Sequence, residues 1–110
     1  MMQLELPLLV YDIVRNVPPG RVTTYNAIAE TVGYRNAARV VGLILNLSHY
    51  EQVPIPAHRV VTRNGVLSRK QHFVNEKKLQ QMLEEEGVSV VDNQIVDFEK
   101  HFWHPSEMYN

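Results

Sequence analysis

Cysteine is missing from the chain altogether, which excludes a disulfide framework, a thiolate metal cluster and a thiolate nucleophile. Glycine is scarce, and its five residues nowhere gather into a phosphate-cradling loop. No apolar run approaches the length that spans a bilayer, and Met1-Met2-Gln3-Leu4-Glu5-Leu6-Pro7 has no charged stretch leading into a long apolar one. Together with the missing thiols this predicts a cytoplasmic protein without a membrane partner. Ser48 and Ser68 lack the surroundings of a hydrolase nucleophile. The five histidines, His49, His58, His72, His101 and His104, lack a His-Glu-x-x-His spacing, and His101, His104 and Glu107 share a face only if the tail is helical. Neither a metal nor a cofactor is expected.

What is present is a chain of 110 residues, 45% hydrophobic, which predicts a single domain over 1–110 with one modest core. The net charge of -1 conceals a division. Residues 13–70 carry Arg15, Arg21, Arg35, Arg39, Arg59, Arg63, Arg69 and Lys70 against Glu30 and Glu51, a local +6, whereas residues 71–110 hold three lysines and eight carboxylates, a local -5. A basic half can meet phosphates while an acidic half faces away.

Leu9, Val10, Ile13, Val14 and Val17 recur at helical spacing, with Pro7 suited to the first turn and Pro18-Pro19-Gly20 as the stop. Thr24 can cap a second helix that runs to about Val32 and ends at Gly33, with Ala27, Ile28 and Val32 inward. Asn36 is placed to cap a third helix that buries Val40, Val41, Ile44, Leu45 and Leu47. Two short helices joined by a tight turn form a helix-turn-helix pattern. Pro54 and Pro56 keep Ser48 to Pro56 irregular. Arg59–Thr62 and Val66–Ser68 around Asn64-Gly65 predict a hairpin wing, and Val88–Val91 with Ile95–Val96 around Asp92-Asn93 a second hairpin. Between them a helix starts near Asn75, carries Leu79, Met82 and Leu83, and ends at Gly87. The aromatic tail from Phe98 to Trp103 packs back on the body.

Several segments then stand in a telling order: Val17-Pro18-Pro19-Gly20-Arg21-Val22-Thr23-Thr24-Tyr25, Ala37-Ala38-Arg39-Val40-Val41-Gly42, Pro56-Ala57-His58-Arg59-Val60, Leu83-Glu84-Glu85-Glu86-Gly87-Val88 and Trp103-His104-Pro105. From about Leu9 to Pro105 the chain resembles the O6-alkylguanine-DNA alkyltransferases, whose nucleophile motif is Pro-Cys-His-Arg-Val. Ala57 occupies the thiol position. A methyl group cannot accept an alkyl group, so the resemblance points to the alkyltransferase-like branch, which binds such lesions without repairing them.

The resemblance implies a mainly α fold, a winged-helix-like DNA-binding domain like the alkyltransferase C-terminal domain, with one or two small β-hairpins. It implies that the third helix enters the minor groove, that Ala37 and Ala38 allow close approach to the phosphate backbone, and that Arg39 fills the space left by an extruded nucleotide. Tyr25 matches the tyrosine that helps turn that nucleotide out, although Asn26 stands where the family usually has glycine. His58 and Glu86 match a proton relay with nothing left to activate. Their role, with Arg59 and Asn46, becomes support of the pocket. Arg69 and Lys70 match a basic pair that senses the lesion or holds phosphate. Ala57, where many relatives have tryptophan, predicts a larger pocket. The implied partners are double-stranded DNA containing O6-alkylguanine and nucleotide excision repair proteins, with the protein acting as a monomer. Two alternatives remain open on the residues: a winged-helix transcriptional regulator of undamaged DNA, and an alkyltransferase using another nucleophile.

Overall fold

The structure is a computed structural model that describes residues 2–33, 37–67 and 76–109. The expected caps Asn36 and Asn75, the pair Arg69 and Lys70, and His72 lie outside them.

Helix α1 spans Met2–Asn16. Pro7 lies inside it rather than at its first turn, because residues 2–6 already wind more than one turn ahead of it. The buried face centres on Val10, Ile13, Val14 and Val17 and takes in Tyr11; Leu9 falls on its flank and is 48% exposed, contrary to the expected stripe. After the turn at Gly20, strand β1 (Thr23–Thr24) leads into α2, Tyr25–Val32. Thr24 extends at the N-cap, where its Oγ1 accepts a hydrogen bond from Ala27 N at 3.0 Å. Gly33 closes α2 at φ 82°, a left-handed conformation that suits a residue without Cβ.

Helix α3 is Ala38–Tyr50, with Ala37 at its N-cap making no side-chain capping bond. Its buried face is Val41, Ile44, Leu45 and Ser48. Val40 and Leu47, expected inside, are 41% and 49% exposed, because a 3.6-residue period turns them toward solvent once Val41 and Leu45 face the core. The helix also runs through Ser48 to Tyr50, so the irregular segment starts later than expected, at Glu51. A single 3₁₀ turn, Ala57–Arg59, precedes strand β2, Val60–Val61.

Strand β2 does not form the wing hairpin. It pairs in parallel with β1 in the register Thr23 with Val60 and Thr24 with Val61. The Asn64-Gly65 turn exists as expected, both residues at positive φ (67° and 81°) and closed by Thr62 N donating to Val66 O at 2.9 Å. Val66 then bridges to Gln94 in the second hairpin instead of extending the first. That hairpin is β3 (Val90–Val91) antiparallel to β4 (Gln94–Ile95), turned by Asp92 and Asn93 at φ 50° and 63°.

Alternation along β2 divides the interior. Val60 joins a cluster with Val10, Val14, Tyr25, Ile28, Val41 and Leu45, while Val61 joins one with Val22, Leu67, Leu79, Leu83, Val88, Val90 and Ile95. Helix α4, Glu76–Glu85, supplies Leu79 and Leu83 to the second cluster; Met82 is only half-buried. The tail, with α5 at Phe98–His101, returns as expected: Trp103 is buried and its backbone N–H donates to Val22 O at 2.7 Å.

Candidate nucleic-acid interface

The helix-turn-helix expected from the sequence is made of α2 and α3. Tyr25 is placed by the end of β1 and by the Thr24 cap, and it is 6% exposed. Its ring reaches α3 where Gly42 leaves room: a Cβ on Gly42 would sit 3.9 Å from Tyr25 Cε1. Ala37 is buried in the same cluster as Tyr25, and Ala38 packs partly against it. Arg39, next in sequence, points to solvent. The small residues therefore form the base of α3, and the cation stands outside it.

Ala57 lies in the 3₁₀ turn before β2 and is 7% exposed. Val60 on one side belongs to the cluster that holds Tyr25 and Ala37, and Ile55 on the other packs against that cluster, which ties the turn to the helix-turn-helix core. Pro54 and Pro56 bracket Ile55. The turn closes through Ala57 N donating to Ile55 O at 2.9 Å and Arg59 N to Pro56 O at 3.0 Å. The side chain at this position is only a methyl group, and it is buried.

Behind the turn sits a charged clamp. His58 Nε2 lies 2.8 Å from Glu86 Oε2, Arg59 Nη2 donates to Glu86 Oε2 at 2.7 Å, Arg59 Nε donates to Glu86 Oε1 at 3.0 Å, and Arg59 Nη1 donates to Val17 O at 2.9 Å. Gly20 N adds a longer bond to Glu86 Oε1, 3.4 Å. Burial pushes the Glu86 carboxyl up, but hydrogen bonds from Arg59 and His58, the charge on His58 and the Gly20 N–H outweigh it and bring the pKa down to about 2. The clamp joins four remote segments: the end of α1, the Gly20 turn, the Ala57 turn and the end of α4. His58, Arg59 and Glu86 are thus brought together. Asn46 is not part of the group; its side-chain oxygen is buried on α3 without a hydrogen-bond partner among the described residues.

Two residues take roles here that the sequence did not suggest. Gly20 is needed at φ 83°, and a Cβ there would lie 3.2 Å from Glu86 O. The Pro-Pro-Gly turn was its signal. Arg21, counted with the phosphate-facing cations, instead donates from Nε to His101 O at 3.1 Å and from Nη2 to Phe102 O at 2.6 Å, pinning the tail. Arg59 likewise leaves the basic group for the clamp. Arg15, Arg39 and Arg63 are exposed. His101 and His104 do not share a helix face: His101 Nδ1 meets Gly20 O at 3.0 Å, and His104 lies beyond α5 with Nε2 3.1 Å from Glu30 Oε2.

A helix-turn-helix with small residues at the start of its second helix, set beside a buried turn and braced by a charged clamp, defines a DNA-binding domain of the alkyltransferase type. Residues 6–88 match the family described as 6-O-methylguanine DNA methyltransferase, DNA binding domain. Alkyltransferase-like protein 1 of Schizosaccharomyces pombe is 34% identical over 100 residues, covering 87% of this chain and 92% of that one. The DNA base-flipping protein of Escherichia coli K12 is 36% identical over 99 residues, covering 90% and 74%. The crystal structure of S. pombe Atl1 in complex with damaged DNA containing O6-carboxymethylguanine superposes with a TM-score of 0.78 at 33% identity, covering 90% of this chain and 94% of that one. The chain belongs to the 6-O-methylguanine DNA methyltransferase DNA-binding family, within its alkyltransferase-like branch.

Proposed function

We propose that the protein binds O6-alkylguanine in duplex DNA, docking α3 in the minor groove and flipping the damaged nucleotide into a pocket at Ala57, without transferring the alkyl group. The observation that carries this reading is the His58–Arg59–Glu86 clamp, complete to hydrogen-bond distance, beside a turn whose residue 57 offers only a methyl group. A proton relay has no purpose beside Ala57, whereas a brace that holds the turn in place does. Arg39 fills the stack behind the flipped nucleotide, Tyr25 turns it out, Ala37 and Ala38 let the uncapped start of α3 approach a phosphate, and Arg69 and Lys70 meet the lesion or its phosphate. Asn46 borders Gly42 by one helical turn on α3 and would line the same approach. The family relationship, a relative crystallised on damaged DNA and another named for base flipping support this assignment.

Handover to nucleotide excision repair, action as a monomer and a cytoplasmic site of action, nucleoid-associated or nuclear according to the cell, belong to the same proposal. The test is a titration of duplexes that differ only in one O6-methylguanine, at stated salt, with Arg39→Ala as control. Preference for the modified duplex, lost in the variant, is expected. Equal affinity for both duplexes would instead indicate a regulator of undamaged DNA. A mass increase of the protein after incubation would reveal alkyl transfer to another nucleophile. Ala57 also leads us to expect that large O6 adducts bind at least as well as methyl; a steady loss of affinity with adduct size would refute that part.

A further inference from the structure

Helix α3 turns an aliphatic ridge to solvent. Val40 is 41% exposed, Leu43 59% and Leu47 49%, while Val41, Ile44 and Leu45 on the other side are buried. At about 100° per residue, Leu43 stands opposite the buried face, with Arg39 about 40° to one side and Leu47 about 40° to the other. Arg39 and the aliphatic side chains therefore share one face, and a surface that receives the arginine receives them as well. Lysine, glutamate or glutamine would suit a merely solvated helix face better.

We infer that the ridge Val40–Leu43–Leu47 is covered by the deoxyribose walls of the DNA minor groove and supplies a sequence-neutral contribution to binding that does not depend on salt. The inference rests on the proposed role of α3 as the docking helix. From Val40 to Leu47 the helix advances about 10 Å, the length of roughly three base steps. Groove-floor edges offer hydrogen-bond acceptors and, on guanine, one amine donor. Valine and leucine can pair with neither, so they cannot read bases; the apolar C–H walls of the sugars are what they can cover. A sensor of lesions that arise in any sequence context needs such contacts, because side chains that read the flanking bases would restrict where it works. A second copy of the chain is a poor occupant. Three partly exposed aliphatic side chains fall far short of the roughly 800 Å² per partner that a stable dimer buries.

The experiment measures binding of Leu43→Gln and Leu47→Gln to lesion-bearing and plain duplexes, across several salt concentrations and with the lesion flanked by A·T or G·C pairs. Leu8→Gln, equally exposed on α1, is the control, and thermal melts verify that each variant folds. We expect each ridge variant to weaken binding about fivefold on both duplexes, with the slope of log K against log salt unchanged and Leu8→Gln without effect. The flanking pairs are expected to change wild-type affinity by less than about twofold, the discrimination given by a directly read base being at least roughly fivefold. Full binding by both ridge variants, with Arg39→Ala still defective, would overturn the inference and leave the proposed function standing. So would self-association of the free protein that Leu43→Gln abolishes. If wild type failed to distinguish the lesion but its duplex binding still depended on Leu43 and Leu47, the functional proposal would fall and the ridge would survive it.

Discussion

Glu86 shows how one side chain can hold several distant segments together. Its carboxylate takes Arg59, His58 and the Gly20 N–H, so its pKa is about 2 in the folded protein against an ordinary 4.5. A depressed carboxyl favours the folded state fully above pH 4.5, and the contribution drains away as pH falls from there toward 2. The size is at most roughly 3 kcal/mol, reduced by the water that still reaches the group. Glu86→Gln is therefore expected to lower stability at neutral pH and to flatten the acid limb between pH 4.5 and 2; acid unfolding followed by circular dichroism checks both. Arg59→Met leaves the buried carboxylate without its main partner and is expected to cost about 3 kcal/mol, read from urea midpoints. Replacing Glu86 with glutamine in that background should recover part of the loss. If the two substitutions proved additive, the clamp would not be a coupled unit.

At the scale of elements, local chemistry and tertiary demand can be separated by substitution. Thr24 caps α2 with one hydrogen bond, so Thr24→Ala is expected to cost about 1 kcal/mol in thermal denaturation. Two glycines respond in opposite senses. Gly42 lies inside α3 with ordinary contact distance to Tyr25, so Gly42→Ala is expected to raise stability by up to about 1 kcal/mol. Gly65 sits at φ 81° with its absent Cβ only 2.7 Å from the Phe98 ring, so Gly65→Ala is expected to destabilise by 2 kcal/mol or more, a rough figure for strain plus overpacking. Melting curves of the pair decide the sign at each site. The Thr24 and Gly33 caps, the turn residues and most of the buried faces of α1 and α2 were legible from sequence because they depend on neighbours a few positions away. The wing was not. Arg59–Thr62 carries the β-branched residues of a strand, but composition does not say which strand it pairs with, and β2 found β1 some 37 residues upstream rather than its own neighbour. In α3 five apolar residues fitted a buried face by composition alone; only the packing of Val41, Ile44 and Leu45 against α1 and α2 revealed that Val40 and Leu47 point away.

For the whole molecule, charge is redistributed on folding. Eight cations lie in residues 13–70, yet Arg21 pins the tail and Arg59 belongs to the clamp. Phosphate contact from that half then falls to six cations at most, and the slope of log K against log salt for duplex binding is expected to be no steeper than about -5. A steeper slope would show that the internal pairs open on binding or that lysines of the acidic half contribute.

The amino-acid sequence by itself determined the missing thiol, the helix-turn-helix spacing, the Thr24 and Gly33 caps, the Asn64-Gly65 and Asp92-Asn93 turns and the family to which the chain belongs. All of these follow from residue identity and short-range geometry. Only the tertiary structure decided which cations remain outside, which strand β2 joins, that Gly20 and Glu86 meet, and that α3 keeps aliphatic side chains beside Arg39. Each of these depends on contacts between segments far apart in the chain, and periodicity along one segment carries no information about what lies across from it.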